Sequence, residues 1–289
     1  MAKQTINIGS AANDGTGSTL RESFDITNDN FTELYSGTGG LFHKIEGTNF
    51  TGSLLIGHNT TGTLSSALNN TGIGIGALDA LTSGDSNVAI GRTAGGALSS
   101  GSDNIAIGHN ALKTENTGSR NTALGRGTLQ NLDYDGNGYN TAVGYEAGND
   151  LTTGIENAIV GALAGDAITT GTYNAVLGTS ALGANTKSNA NVAIGNSALA
   201  THNLTSATAG YNVAVGFNAG VNVTTGKQNT IIGGNAGDAL TTGNNNIVIG
   251  YDAAASAVDV SNEVTIGNSS IANVRIPSDS TLKIGASSD

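Results

Sequence analysis

Asn87-Val88-Ala89-Ile90-Gly91 returns as Asn104-Ile105-Ala106-Ile107-Gly108, then as Asn121-Thr122-Ala123-Leu124-Gly125 and Asn140-Thr141-Ala142-Val143-Gly144. The same frame, an Asn followed four residues later by Gly, continues at Asn157, Asn174, Asn191, Asn212, Asn229 and Asn246. Its closing glycines fall at 91, 108, 125, 144, 161, 178, 195, 216, 233 and 250, with spacings of 17, 17, 19, 17, 17, 17, 21, 17 and 17. Worn copies extend the series at Gly57, Gly76 and Gly267; in Gly72-Ile73-Gly74-Ile75-Gly76 a Gly takes the Asn position. A fixed period of this length marks stacked structural repeats.

Within each copy the residue before the closing Gly is branched aliphatic, as in Ile90, Ile107, Leu124 and Val143, and the one before that is small and apolar, as in Ala89, Ala106, Ala123 and Ala142. Side chains alternate across a strand, so these two positions face opposite ways. Both are apolar, which predicts a strand buried on both faces. One face looks into the core of its own coil, and a thin solenoid has only a partner chain to cover the other. Ala usually follows three residues after the Gly, and a second aliphatic site follows after seven, at Leu98, Leu132, Leu151, Ile168, Val223 and Leu240. A Thr-Thr-Gly corner then turns the chain, as at Thr152-Thr153-Gly154. Each coil thus reads as a buried strand, a corner, a second short strand or helical turn, and another corner. The repeat-corner residues are Asn87, Gly91, Asn104, Gly108, Asn140, Gly144, Asn174 and Gly178 and their equivalents. The Gly supplies a positive φ or a close approach, and the Asn side chains stack and satisfy backbone groups.

Composition agrees. Forty-four Gly, no Cys, no Trp and 4% aromatics cannot build a compact core of large side chains, yet 37% hydrophobic content, strictly placed, opposes disorder. A net charge of -11 without any Lys/Arg run opposes nucleic-acid and anionic-membrane binding. No apolar run approaches membrane-spanning length, and the N-terminus has no apolar signal region, so synthesis and folding in a cytoplasm are expected.

Before the array, residues 4–9 alternate as a short strand. Thr19 and Glu22 then form a capping-box spacing. Leu20, Phe24, Phe31 and Leu34 fall on one helical stripe with Tyr35 beside it, which reads as a docking or trimerising helix or, alternatively, as one that merely caps the solenoid. After the array, Ile271 to Ile276 and Leu282 to Ile284 alternate around the only Pro, as expected of a capping unit. The chain therefore divides into an attachment strand and helix (1–40), a β-solenoid shaft (41–267) and C-terminal cap strands (268–289).

Two resemblances bear on this plan. Asn13-Asp14-Gly15-Thr16-Gly17, Leu20-Arg21, Phe24 and Asn28-Asp29-Asn30-Phe31-Thr32-Glu33-Leu34-Tyr35 resemble the opening of many tailed-phage fibre and virion structural proteins. That resemblance covers roughly residues 4–36 and implies a virion-attachment end, without fixing its place on the particle. The Asn-x-Ala-Ile-Gly repeat over residues 53–267 is similar to the heads of trimeric autotransporter adhesins, which implies a left-handed parallel β-roll trimer. The period here is longer than is usual in that family, and no secretion signal or anchor barrel accompanies it.

Catalytic chemistry is not expected. Asp133-x-Asp135-x-Asn137-Gly138 begins like a calcium loop, but Gly144 stands where the bidentate Glu is needed, so it reads as a solvated turn. His43, His58, His109 and His202 lack metal-ligand spacing and read as rim residues, alongside Arg92, Arg126, Tyr145 and Phe217. No paired carboxylates with aromatic sugar platforms stand out. The expectation is a cofactor-free, non-enzymatic phage fibre: a homotrimer held to other virion proteins by its N-terminus. It would be assembled in the host cytoplasm, carried on the virion, and could contact a host-surface glycan or protein. Its exposed slots and two long coils would make that contact. The alternatives are a neck, collar or head-decoration fibre without receptor binding, and a monomeric ice-binding or scaffold solenoid suggested by the Thr-rich corners.

Overall fold

The computed structural model describes residues 43–45, 53–56, 66–271 and 273. Leu20, Phe24, Phe31, Leu34 and Tyr35, expected to form the attachment helix, and most of the expected C-terminal cap lie outside them. The described chain is an all-β parallel solenoid with no helix. Its strands are β1 (His43–Ile45), β2 (Leu54–Ile56), β3 (Thr71–Ile73), β4 (Val88–Ile90), β5 (Ile105–Ile107), β6 (Thr122–Leu124) and β7 (Thr141–Val143). They continue as β8 (Ala158–Val160), β9 (Ala175–Leu177), β10 (Val192–Ile194), β11 (Val213–Val215), β12 (Thr230–Ile232), β13 (Ile247–Ile249) and β14 (Val264–Ile266). All belong to one sheet in strict sequence order. From β2 to β14 every pairing is parallel and in register, so Ala89 lies beside Ala106 and Ile90 beside Ile107. Strand β1 pairs antiparallel with β2 and occupies the edge the first coil would otherwise present.

It is convenient to number each coil from its Asn as slot 1, with the strand at slots 2–4 and the closing Gly at slot 5. The slot 3 side chains point inward: Ala89, Ala106, Ala123, Ala142, Ile159, Ala193, Ala214 and Ile231 are fully buried. They meet the slot 8 alanines (Ala94, Ala111, Ala147, Ala164) and the slot 12 aliphatics (Leu98, Leu132, Leu151, Ile168) in one continuous core. Slots 2 and 4 point out, and within one chain only a single face of the strand is buried. The short strand or helical turn expected after the first corner is absent among the described residues. Slots 6–11 are turns whose amides still bond to the neighbouring coil, as in Leu78 N–H to Ala94 O at 3.1 Å and Ala80 N–H to Gly96 O at 3.2 Å.

Slot 5 shows why glycine is required. Gly125 has φ of 137°, a conformation that L side chains rarely adopt, and an added Cβ would stand 2.1 Å from the Gly144 carbonyl oxygen. The frame at the start of the array differs from the sequence reading. Asn70, not Gly72, fills slot 1, and Gly74, not Gly76, closes the strand with φ of 132°. Thr71 pairs with Val88 and Gly72 with Ala89. Asn70 wins the slot because only an amide can join the buried ladder described next, and this frame restores the spacing of 17 to Asn87. Ile75 is thereby left 72% exposed.

Candidate functional surfaces

The internal spine is a ladder of buried amides. Asn157 illustrates it: Nδ2 donates to Asn140 Oδ1 at 3.1 Å and to Gly171 O at 2.9 Å. Its Oδ1 accepts from the backbone N–H of Asn174 at 3.0 Å and from Asn174 Nδ2 at 3.1 Å. The same contacts run through Asn87, Asn104, Asn140 and Asn174, with Gly101 and Gly118 as the carbonyl partners of the first two. Every donor and acceptor of the side chain is used, which is what lets a polar column lie at a coil's centre. Slot 1 changes at both ends. Ser53 Oγ accepts the Asn70 N–H at 2.7 Å. Glu263 donates its N–H to Asn246 Oδ1 at 2.9 Å, while its carboxylate accepts from Ser256 N–H and from Thr265 Oγ. Hydrogen bonds from Ser256 hold that carboxyl below the usual range.

The outer face of the sheet is apolar along its length. Ile90, Leu124, Val160, Ile232 and Ile249 in slot 4 are 37–43% exposed and Leu177 is 50% exposed. Ile105 and Ile247 add to it from slot 2. Because the register is exact from coil to coil, these side chains form a continuous ridge rather than scattered contacts. Patches of this kind are unusual on a monomeric soluble surface and mark interaction sites.

Slot 12 carries chemistry that sequence reading did not find. Where slot 9 is Gly, an aliphatic fills slot 12; a Cβ on Gly165 would stand 2.7 Å from Ile168 Cδ1. Leu takes slot 9 in five coils: beside Leu78 and Leu129 slot 12 stays apolar (Leu81, Leu132), whereas beside Leu112, Leu182 and Leu199 it holds Glu115, Asn185 and His202, all fully buried. Leu in slot 9 supplies the missing apolar volume and frees slot 12 for a polar group. These groups brace the long coils. Glu115 accepts from Gly118 N–H at 2.7 Å and from Tyr134 N–H at 3.3 Å, holding the base of the 133–138 insertion. His202 Nε2 lies 3.1 Å from Ser188 Oγ, below the 204–210 insertion. His202 is therefore a core residue and not a rim residue; burial pushes its pKa down to about 4. Burial likewise pushes Glu115 up to about 7, against the pull of the Gly118 and Tyr134 amides. The readable signal was an aligned Leu at slot 9 opposite a polar slot 12, next to each change of coil length.

The insertions differ. Tyr134 packs partly on the core and Asp135 accepts from Thr117 Oγ1, whereas Thr205 to Thr208 are exposed. Among the described residues no group of three His, Asp or Glu side chains could hold a metal ion. The rim at slot 6 pairs Arg126 with Tyr145, ring centroid 5.4 Å away and hydroxyl 3.0 Å from Nη1. His109 occupies the same slot, and His58 lies outside the described residues.

A second column was also missed. The last position of each coil, just before the next Asn and called slot 17 even where an insertion lengthens the coil, reads Asp103, Arg120, Tyr139, Glu156, Tyr173, Ala190, Tyr211, Gln228 and Asn245. The backbone ladder keeps it aligned: Glu156 N–H to Gly138 O at 2.8 Å, Tyr173 N–H to Ile155 O at 3.2 Å and Ala190 N–H to Thr172 O at 2.9 Å. Tyr139, Tyr173 and Tyr211 are exposed, and Arg120 stacks over Tyr139 at 5.7 Å. Compared with known proteins, the chain matches no family model, no curated protein and no solved structure.

Proposed function

We propose that the chain is the shaft-forming protein of a phage virion fibre, a non-enzymatic homotrimer fixed to the particle by its N-terminal segment. The observation that carries the trimer is the slot 4 ridge, Ile90 to Ile249, which the described residues leave partly exposed. Three copies packing those ridges together would bury it in a left-handed roll of the adhesin-head kind. Burying the exposed part of each branched side chain is worth about 1 kcal/mol, repeated over the coils. Twelve turns at the spacing of neighbouring strands, about 4.8 Å, give a rod near 60 Å long. Stiffness comes from backbone and Asn bonds that link each coil to the next. The long coils and exposed slots are the surfaces left for a host ligand, with avidity from three copies.

The phage assignment rests on the resemblance of residues 4–36. Removing residues 1–36 is expected to abolish incorporation into particles while leaving the shaft folded. Normal incorporation of the truncated chain would defeat the assignment. A purely structural neck or collar fibre predicts instead that the soluble protein fails to label host cells. An ice-binding solenoid needs a ladder of free hydroxyls. Here the corner hydroxyls of Thr152, Thr169 and Thr241 donate to carbonyls of the next coil, which favours the fibre.

A further inference from the structure

We propose that the slot 17 column is a binding track for a linear, uncharged polysaccharide, with Tyr139, Tyr173 and Tyr211 as its sugar platforms. The glycan would be the host-facing ligand of the fibre reading above, on which this assignment rests.

Three features point to that ligand. Tyr173 and Tyr211 are 56% and 61% exposed, so their rings are offered to something outside the coil; Tyr139 is 52% exposed with Arg120 over one face of its ring, leaving the other face for a sugar. The three tyrosines recur on every second coil, a separation of about 9.6 Å from the spacing of neighbouring strands. An extended, two-fold polysaccharide turns each sugar over relative to the last, so alternate sugars present the same face. Its disaccharide repeat is close to that separation, which places roughly one sugar on each coil. The intervening residues suit the arrangement: Ala190 leaves room for a sugar, and the exposed Glu156 offers a carboxylate to ring hydroxyls. Tyrosine is suited to such a track because it presents a large rigid face at little entropic cost, with a hydroxyl at its edge.

Charge selects among polysaccharides. Glu156 stands within the track and Asp103 beyond its end, and the whole chain carries -11. An anionic glycan would be repelled, leaving Arg120, stacked on Tyr139, as the column's nearby cation.

The test uses the full-length protein and two homologous probe series, β-1,4-linked oligomers of N-acetylglucosamine and of glucose, as di-, tetra- and hexasaccharides. The chain has no Trp, so tyrosine emission reports binding directly, with calorimetry as a second readout. Affinity in at least one series is expected to rise with each added pair of sugars as a further platform is reached. Tyr173→Ala, which removes the central platform, should weaken hexasaccharide binding about ten-fold, the loss of one stacked ring. Tyr173→Phe should restore it, and Tyr251→Ala, exposed but in slot 6, should leave it unchanged. Failure of both hexasaccharides to bind would overturn the proposal, as would an equal loss in Tyr251→Ala. Dissociation of the assembly by Tyr173→Ala would also overturn it, assigning the column to a second copy of the chain. Light scattering on the same samples separates the outcomes: a trimer that binds no sugar defeats the track alone, and a monomer defeats the trimeric fibre.

Discussion

At the scale of single residues, the fold depends on groups that satisfy several partners at once. Asn157→Ala would remove four hydrogen bonds and strand the Asn174 backbone amide and the Gly171 carbonyl inside the coil, while Asn140 Oδ1 keeps the backbone N–H of residue 157. A cost of about 3 kcal/mol or more is expected, read by urea unfolding at fixed protein concentration. Asn131→Ala, whose amide bonds Asp150 on the surface, should cost less than about 1 kcal/mol. The buried titratable pair yields opposite pH dependences. Glu115 has a folded pKa near 7 against an ordinary 4.5, so its contribution is fully present below 4.5 and is lost as pH rises through 7. His202 has a folded pKa near 4 against 6.5, so its contribution is present above 6.5 and is lost as pH falls through 4. Between those limits the two slopes oppose. Glu115→Gln keeps an acceptor for Gly118 and removes the first slope. It should raise unfolding free energy at about pH 8 by an amount on the order of 2–3 kcal/mol, with the gain gone below about pH 4.5. An equal gain at both pH values would show that Glu115 is not held protonated by burial.

At the scale of the coil, alternation decides inside from outside. Slot 3 is apolar, Ala in most coils and Ile or Val at Ile159, Val176, Ile231 and Val248, because it shares a closed core with slots 8 and 12; slot 4 lies outside that core. Val160→Asp with Leu177→Asp therefore places charges on the open ridge and not in the core. The far-UV spectrum should be retained and the assembly should fall apart. Ala142→Asp, fully buried, should unfold the coil instead. Much of this was legible: the period, the Asn and Gly positions and both aliphatic sites follow from residues such as Asn87, Gly91 and Leu98. Other features were hidden for physical reasons. A Gly-rich stretch, 72–76, fits the frame in two ways until the amide ladder selects Asn70. A polar slot 12 reads as loop until Leu112 or Leu199 is seen to fill the space across from it. The tyrosine column has no signal along the chain, because its members lie 34 and 38 residues apart and meet only through stacking.

On the scale of the whole molecule, a solenoid must finish its ends and cover any apolar side. At the start, β1 reverses direction against β2 and Ser53 ends the amide ladder. At the other end Glu263 closes the ladder, and Val264 and Ile266, the outward slots of β14, are 62% and 61% exposed. Among the described residues nothing covers the slot 4 ridge, and its length calls for self-association. The solution mass of the full-length protein by light scattering tests it most directly. Three chains, about three times 28.6 kDa, is the predicted result, reduced to one by the Val160→Asp, Leu177→Asp pair. A stable, soluble single chain at micromolar concentration would contradict it.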